Sequence, residues 1–346
     1  MAPLRLSVVG AGLVGQRHVS AITRTACATV ASIVDPSDGA RQFASKGDYS
    51  WFAELGDMLS ADPPDGVILA TPNALHLPQG LEVLRARIPV LIEKPLADDA
   101  VSAEALVAQA TESGVPLLVG HHRRHNPIIK IAKETISSGA LGDIVAVNGM
   151  CWLYKPEDYF DTKWRTQKGA GPVFINLIHD VDLMRHLVGE IVAVGAIQAN
   201  AVRGHAVEDT SAIILRFANG ALGTLSVSDT IVAPWSWELT AAENPAYPET
   251  GQNCYFIGGT HGSLQLPSLK SWTQESTRSW WEPIHQVSAD VNSADPLDVQ
   301  ISHLCEVIRG EAEPLVSGTD GLRSLQVVSA IKQAAEQGSE VVLPAS

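Results

Sequence analysis

Cysteine is scarce in this chain: Cys27, Cys151, Cys254 and Cys305 are widely spaced, with no Cys-x-x-Cys pair among 346 residues. That spacing excludes a disulfide framework and a cysteine-based structural zinc site, and it fits a reducing compartment. Basic residues are also short, with 24 Lys and Arg against 38 Asp and Glu and a formal net charge of -14. Non-specific binding to nucleic acid or to an anionic membrane needs a basic surface, so neither is expected. An anionic cofactor is not excluded, because a few local donors can hold a phosphate against an acidic background. No run approaches the roughly 20 apolar residues needed to span a bilayer. Met1-Ala2-Pro3 leads straight into an apolar strand pattern without a signal peptide, so the expected location is cytoplasmic. Internal repeats and low-complexity segments are absent as well.

What is present describes an ordinary globular protein. Hydrophobic residues make up 45% and charged residues 18%, enough for a sizeable core. The length exceeds the usual single domain, so two domains are expected. Up to about residue 122, short apolar runs alternate with helix-like stretches. Leu4–Val9, Thr29–Val34, Gly66–Ala70, Pro89–Ile92 and Pro116–Val119 read as buried strands. A helix between the last two has Asp98 or Asp99 to cap its start and Gly114 then Pro116 to stop it. Such alternation implies a parallel, doubly wound sheet.

The pattern then changes. A helix near Asn126–Ser138 is followed by strand-like runs at Ile144–Leu153, Ile191–Asn200, Thr210–Phe217 and Ala221–Thr230. Asn219-Gly220 between the last two predicts a tight hairpin with positive φ at both turn positions. Pro172–Val188 reads as one buried helix, residues 231–296 as long loops around short strands, and Pro296–Arg309 and Gly321–Gln337 as helices. The expected division is residues 1–122, an α/β Rossmann domain, and 123–346, an α+β domain with a predominantly antiparallel sheet.

Gly10-Ala-Gly12-Leu13-Val14-Gly15 directly follows the first strand and opens a helix. Its glycines permit a tight turn and let the backbone approach a pyrophosphate, which the helix N-terminus then attracts. Asp35 ends the second strand about 20 residues further on, where a carboxylate accepts from both adenosine ribose hydroxyls. It also repels a 2′-phosphate, so NAD is expected rather than NADP, although Ser37 nearby could help accommodate a phosphate. Two further strand ends carry polar residues, Thr71-Pro-Asn73-Ala-Leu-His76 and Glu93-Lys94-Pro95. Ligands of such sheets bind at these carboxyl edges.

Together with Gly120-His-His-Arg-Arg124, Trp164-Arg165, the Gly169–Asp182 segment and Gly258–Gly262, these residues resemble the glucose–fructose oxidoreductase / inositol dehydrogenase / rhizopine catabolism (Gfo/Idh/MocA) family over nearly the whole chain. The resemblance implies a Rossmann domain followed by a domain with a large open antiparallel sheet, and a homodimer or homotetramer packed through that sheet. It implies NAD-dependent oxidation of a secondary alcohol on a cyclic polyol or sugar-like substrate. Lys94 would sit beside the nicotinamide and stabilise the developing oxyanion, with Glu93, Thr71, Asn73 and His76 bordering the cofactor. His179 would act as general base, while Asn176, Arg124, Trp164 and Arg165 would touch substrate. One departure stands out. Where many members have an Asp one turn before the His, this chain has Ile175, with Asn176 beside it. Asp180, Asp182 or a residue elsewhere would then have to orient His179.

The run His121-His122-Arg123-Arg124-His125 lacks a ligand set in metal spacing, and no metal is expected. Trp235, Trp237 and Tyr255 could line a cleft or belong to the core. Two enzymatic alternatives are a dehydrogenase of another hydroxylated ring, such as a carboxylated dihydrodiol held by Arg124 and Arg165, and transient oxidation that enables glycoside cleavage. A non-catalytic NAD-binding sensor is the alternative from a different class, and the retained Lys94 and His179 count against it.

Overall fold

Val8-Val9, Ile33-Val34, Val67-Ile68-Leu69 and Val90-Leu91-Ile92 are continuous apolar runs rather than alternating ones, and all are buried. Strands of that kind need covering on both faces, which only a helix-flanked parallel sheet provides. The computed structural model describes residues 2–274 and 277–344. It forms two compact units, residues 1–126 with 294–325, and residues 127–293 with 326–346.

In the first unit, strands β1 (Leu4–Val9), β2 (Ala28–Val34), β3 (Ser50–Phe52), β4 (Gly66–Leu69), β5 (Val90–Ile92) and β6 (Leu117–Val119) alternate with helices α1 (Leu13–Arg24), α2 (Asp38–Lys46), α3 (Leu55–Ala61), α4 (His76–Arg85) and α5 (Ala100–Ser113). The strands are parallel in the order β3-β2-β1-β4-β5-β6. Chain direction across the sheet reverses between β1 and β4, and the crevice beyond the carboxyl ends of such a pair is where ligands bind. Asp99 caps α5 by accepting from the Ser102 N–H at 2.7 Å, and Gly114 ends it in the left-handed region.

A single boundary at residue 122 does not describe these units. Helix α9, counted after the second-unit helices below, spans Pro296–Ile308 and returns to the first unit. Its Leu297, Ile301, Leu304 and Cys305 share one core with Leu6, Val8, Ile22 and Ala44. Arg24 clamps its start, donating to Asp295 and Asp298. An apolar stripe that finds its complement across almost the whole sequence carries no local sign of where it docks.

The second unit contains α6 (Pro127–Ser137), β7 (Ile144–Trp152), α7 (Ile178–Val188), β8 (Ile191–Ala199), β9 (Thr210–Phe217), β10 (Leu222–Ser228), a short α8 (Trp237–Thr240) and strands β11 to β14 (Tyr255–Gly259, Gly262–Leu266, Lys270–Thr273, His285–Ser288). Helix α10 (Gly318–Gln337) belongs to it from Gln326, as does β15 (Val341–Val342). The described strands form one sheet in the order β14-β13-β12-β11-β7-β10-β9-β8-β15, antiparallel except for the parallel β7–β10 pair. One face packs against α6, α7 and α10 in a core that includes Ile129, Ile178, Val181, Leu225 and Ile331. The other stays open: Ile214, Leu222 and Phe256 project from it along a hollow of about 620 Å³.

Two predicted details differ. The β9–β10 hairpin has positive φ at Gly220 alone, with Phe217 N donating to Ala221 O, so a three-residue loop replaces the two-residue turn. The buried helix begins with a π turn over Val173–Leu177 before α7. Among the described residues no helix is long and apolar enough to cross a membrane.

Candidate functional site

At the end of β1, the Gly10 N–H donates to Val34 O at 2.8 Å and the residue takes φ +90°. A Cβ there would lie 2.6 Å from Ala70 O, and one on Gly15 would lie 1.8 Å from Gly10 O. The first glycine lets the turn pass close to β4, and the third lets α1 pack on the turn. Gly12 precedes α1 with no side-chain cap, so the first N–H groups of that helix are offered outward. Leu13 and Val14 beside it are exposed apolar side chains.

Asp35 closes the turn from the side. Its Oδ2 accepts from the Ala11 N–H at 2.9 Å, and its Oδ1 accepts from the Ser37 N–H at 2.9 Å and the Ser37 hydroxyl at 2.6 Å. Partial burial pushes this carboxyl upward, but those three donors outweigh it and the pKa falls below the usual range. Ser37 is thus tied to Asp35 and also caps α2. An uncapped helix start, a glycine turn without side chains and an ionised carboxylate at the β2 end suit a dinucleotide, and Gly10 to Gly15 with Asp35 are the residues that would hold it.

Beyond β4, Thr71 donates to Gln79 Oε1 at 2.7 Å and Asn73 is exposed at the start of a short turn. His76 is fully buried, with Nδ1 2.9 Å from Pro95 O and Nε2 2.9 Å from Thr71 O. Its ring therefore joins the loops after β4 and β5 instead of presenting a surface to a ligand. Beyond β5 lies a buried carboxylate. Glu93 Oε1 meets His18 Nε2 of α1 at 2.7 Å, and Glu93 Oε2 accepts from the Lys94 N–H at 3.1 Å. A Cβ on Gly120 would come within 2.8 Å of this carboxyl group, so glycine makes room for it. Burial pushes Glu93 up, but the hydrogen bond and charge of His18, with His122 and Lys94 adding, carry it down to about 2. Burial likewise drives His122 down to about 3, opposed by Glu93 and helped by Arg123, Arg17 and Lys94. Lys94 itself is half-buried, and the anchored carboxylate fixes its backbone.

In the second unit, the π turn brings Asn176 to a half-buried position where its Oδ1 has no hydrogen-bond partner among the described residues. Such turns cluster at functional positions because they displace a side chain that a regular helix would place elsewhere. His179 follows in the first turn of α7 at 7% exposure. Asp180 points into the core and accepts from the Tyr255 hydroxyl. Tyr255 in turn stacks on Trp237 with ring centres 5.4 Å apart. Both aromatics are fully buried and belong to the core, whereas Trp235 is exposed. Trp164 is exposed, while Arg165 donates to Tyr159 O at 2.8 Å with its guanidinium 4.1 Å from that ring.

Two family models match the chain. The one described as an oxidoreductase family with an NAD-binding Rossmann fold covers residues 4–121, and the Gfo/Idh/MocA C-terminal domain covers 129–265. The chain belongs to the Gfo/Idh/MocA family of NAD-binding oxidoreductases. It is 31% identical over 191 residues to a rhizopine catabolism protein MocA of Rhizobium meliloti, spanning 55% of this chain and 59% of that relative's length. It is 27% identical over 360 residues to an inositol 2-dehydrogenase of Rubrobacter xylanophilus, spanning 99% and 94%. Among solved structures, the WlbA dehydrogenase of Bordetella pertussis in complex with NADH and UDP-GlcNAcA is similar with a TM-score of 0.80 at 26% identity, covering 99% of this chain and 100% of that one.

The sequence expects Arg124 to touch substrate. It is buried in the first unit, where it donates to Leu315 O at 3.2 Å and pairs with Asp320 at 3.1 Å. Its guanidinium holds the segment ahead of α10. His18 and Gln79 escaped sequence reasoning, since each is recognised only through its partner, Glu93 for the first and Thr71 for the second. Only His18 carried a signal, a polar residue on the inner face of a helix whose Val19 and Ile22 are buried.

Proposed function

We propose that the protein oxidises a secondary alcohol on a cyclic polyol or sugar-like substrate, passing hydride to NAD. The observation that carries this reading is Lys94, an amine at the carboxyl end of β5 whose backbone is pinned by the buried Glu93–His18 pair. Bound NAD supplies the hydride acceptor. The protein supplies the remaining parts. Lys94 donates a hydrogen bond to the substrate oxygen and stabilises the negative charge that develops there as hydride leaves the carbon. His179 takes the hydroxyl proton. Asn176 offers its unpartnered Oδ1 to a neighbouring substrate hydroxyl, replacing the carboxylate that many relatives carry one residue earlier. The names of the inositol 2-dehydrogenase relative and of the sugar-bound WlbA dehydrogenase support a ring substrate.

The open sheet face, with Ile214, Leu222 and Phe256 exposed, supports a homodimer or homotetramer in which a second copy covers it. The function is tested by screening polyols and sugars with NAD, and the matching ketones with NADH. Turnover in either direction supports it. Cofactor binding without any turnover would leave the sensor reading in its place.

A further inference from the structure

The loop after β7 holds a cation in a costly position. Lys155 is only 6% exposed, yet its Nζ makes no hydrogen bond among the described residues. The nearest carboxylate oxygen, Asp229 Oδ2, is 3.8 Å away, and Asp229 Oδ1 is already taken by Arg203 Nε at 2.7 Å. The ammonium lies instead 4.9 Å from the centre of the Tyr159 ring. Arg165 approaches the same ring to 4.1 Å, and its buried Nε makes no hydrogen bond. Two cations thus share one aromatic ring; the nearest carboxylate, Asp229, is shared with Arg203, and Glu238 adds a weaker pull on Lys155. An aromatic face recovers only part of the cost of desolvating an ammonium. Burial pulls the Lys155 amine below its ordinary value, with Asp229 opposing. An incoming anion would supply the missing acceptors for both side chains.

We propose that Lys155 and Arg165 bind an acidic group carried by the substrate, so that the protein prefers an acidic sugar over its neutral counterpart. This rests on the dehydrogenase reading above and names its substrate class. It also moves the anion site from Arg124, which Asp320 occupies, to Lys155.

The test is calorimetric titration of the NADH-bound protein with D-glucose, D-glucuronate and D-glucose 6-phosphate, which differ only at one carbon. Wild type is compared with Lys155→Met, Lys155→Arg and Arg165→Gln. The expected result is at least 10-fold tighter binding of one acid than of glucose, lost in Lys155→Met and Arg165→Gln and kept in Lys155→Arg. Which acid wins tells a carboxylate from a phosphate. Equal binding of acid and neutral sugar overturns the proposal, as does failure of both acids to bind. So does a Lys155→Met variant that loses NADH affinity while acid preference is unchanged, since the cation would then serve the cofactor. Parallel turnover assays separate the two readings. Acid binding without turnover of any sugar sinks the dehydrogenase and leaves the anion site, whereas equal turnover of acid and neutral sugars does the reverse.

Discussion

Replacing Glu93 by leucine keeps the side-chain bulk but removes the acceptor for two donors, His18 Nε2 at 2.7 Å and the Lys94 N–H at 3.1 Å. His18 is fully buried and the Glu93 side chain is 12% exposed, so water does not readily replace what is lost. Each unsatisfied buried donor costs about 1–3 kcal/mol, and the substitution leaves two of them. We expect Glu93→Leu to lose about 2–6 kcal/mol in urea unfolding at neutral pH. Glu93→Gln retains an acceptor for Lys94 and a partner for His18, and should lose about 1 kcal/mol. The pH dependence follows from the sign of the shift. Glu93 falls from an ordinary 4.5 to about 2 on folding, so its contribution is complete above 4.5 and disappears as pH falls toward 2. The gap between wild type and Glu93→Leu should therefore close over that window. A Glu93→Leu variant within about 1 kcal/mol of wild type at neutral pH would refute this account of what holds Lys94.

Three further outcomes are expected. Asp35→Asn should weaken NADH binding by about 10-fold or more in a fluorescence titration, because a charge-assisted acceptor is worth about 1.5–3 kcal/mol; unchanged affinity would remove Asp35 from the cofactor site. Tyr255→Phe withdraws a hydroxyl donor from the buried Asp180 carboxylate and should lower stability by about 1–3 kcal/mol in thermal unfolding. Ile214→Glu puts a charge on the open sheet face and should shift the protein toward monomer in light scattering, whereas an unaltered assembly would place the interface elsewhere.

The parts that were legible in the sequence are the ones built from neighbours in the chain. The glycine turn, the helix cap at Asp99 and the strand at Thr210–Phe217 each follow from local chemistry, and the structure shows them there. What escaped depends on residues far apart. Arg124 reads as a loop cation near a ligand until Asp320, far along the chain, is seen to hold it. The histidine of Thr71–His76 reads as a ligand-facing residue until both ring nitrogens are found on backbone carbonyls. Helix α9 has an apolar stripe with no mark of which unit it serves. Lys155 gave no signal because burial, not residue type, makes it unusual. The family resemblance named Lys94 and His179, and the structure adds the buried pair that fixes the first of them.

The central claim is that Lys94 carries the chemistry and not the binding of cofactor. The direct measurement is NADH affinity and steady-state turnover, side by side, for wild type and Lys94→Met on any polyol or sugar the wild type oxidises. General acid–base and charge stabilisation of this kind contribute about 10²–10⁴-fold. The account predicts a turnover loss of about that size with NADH affinity within roughly threefold of wild type. Turnover that survives in Lys94→Met, or a loss explained entirely by failed cofactor binding, would contradict it.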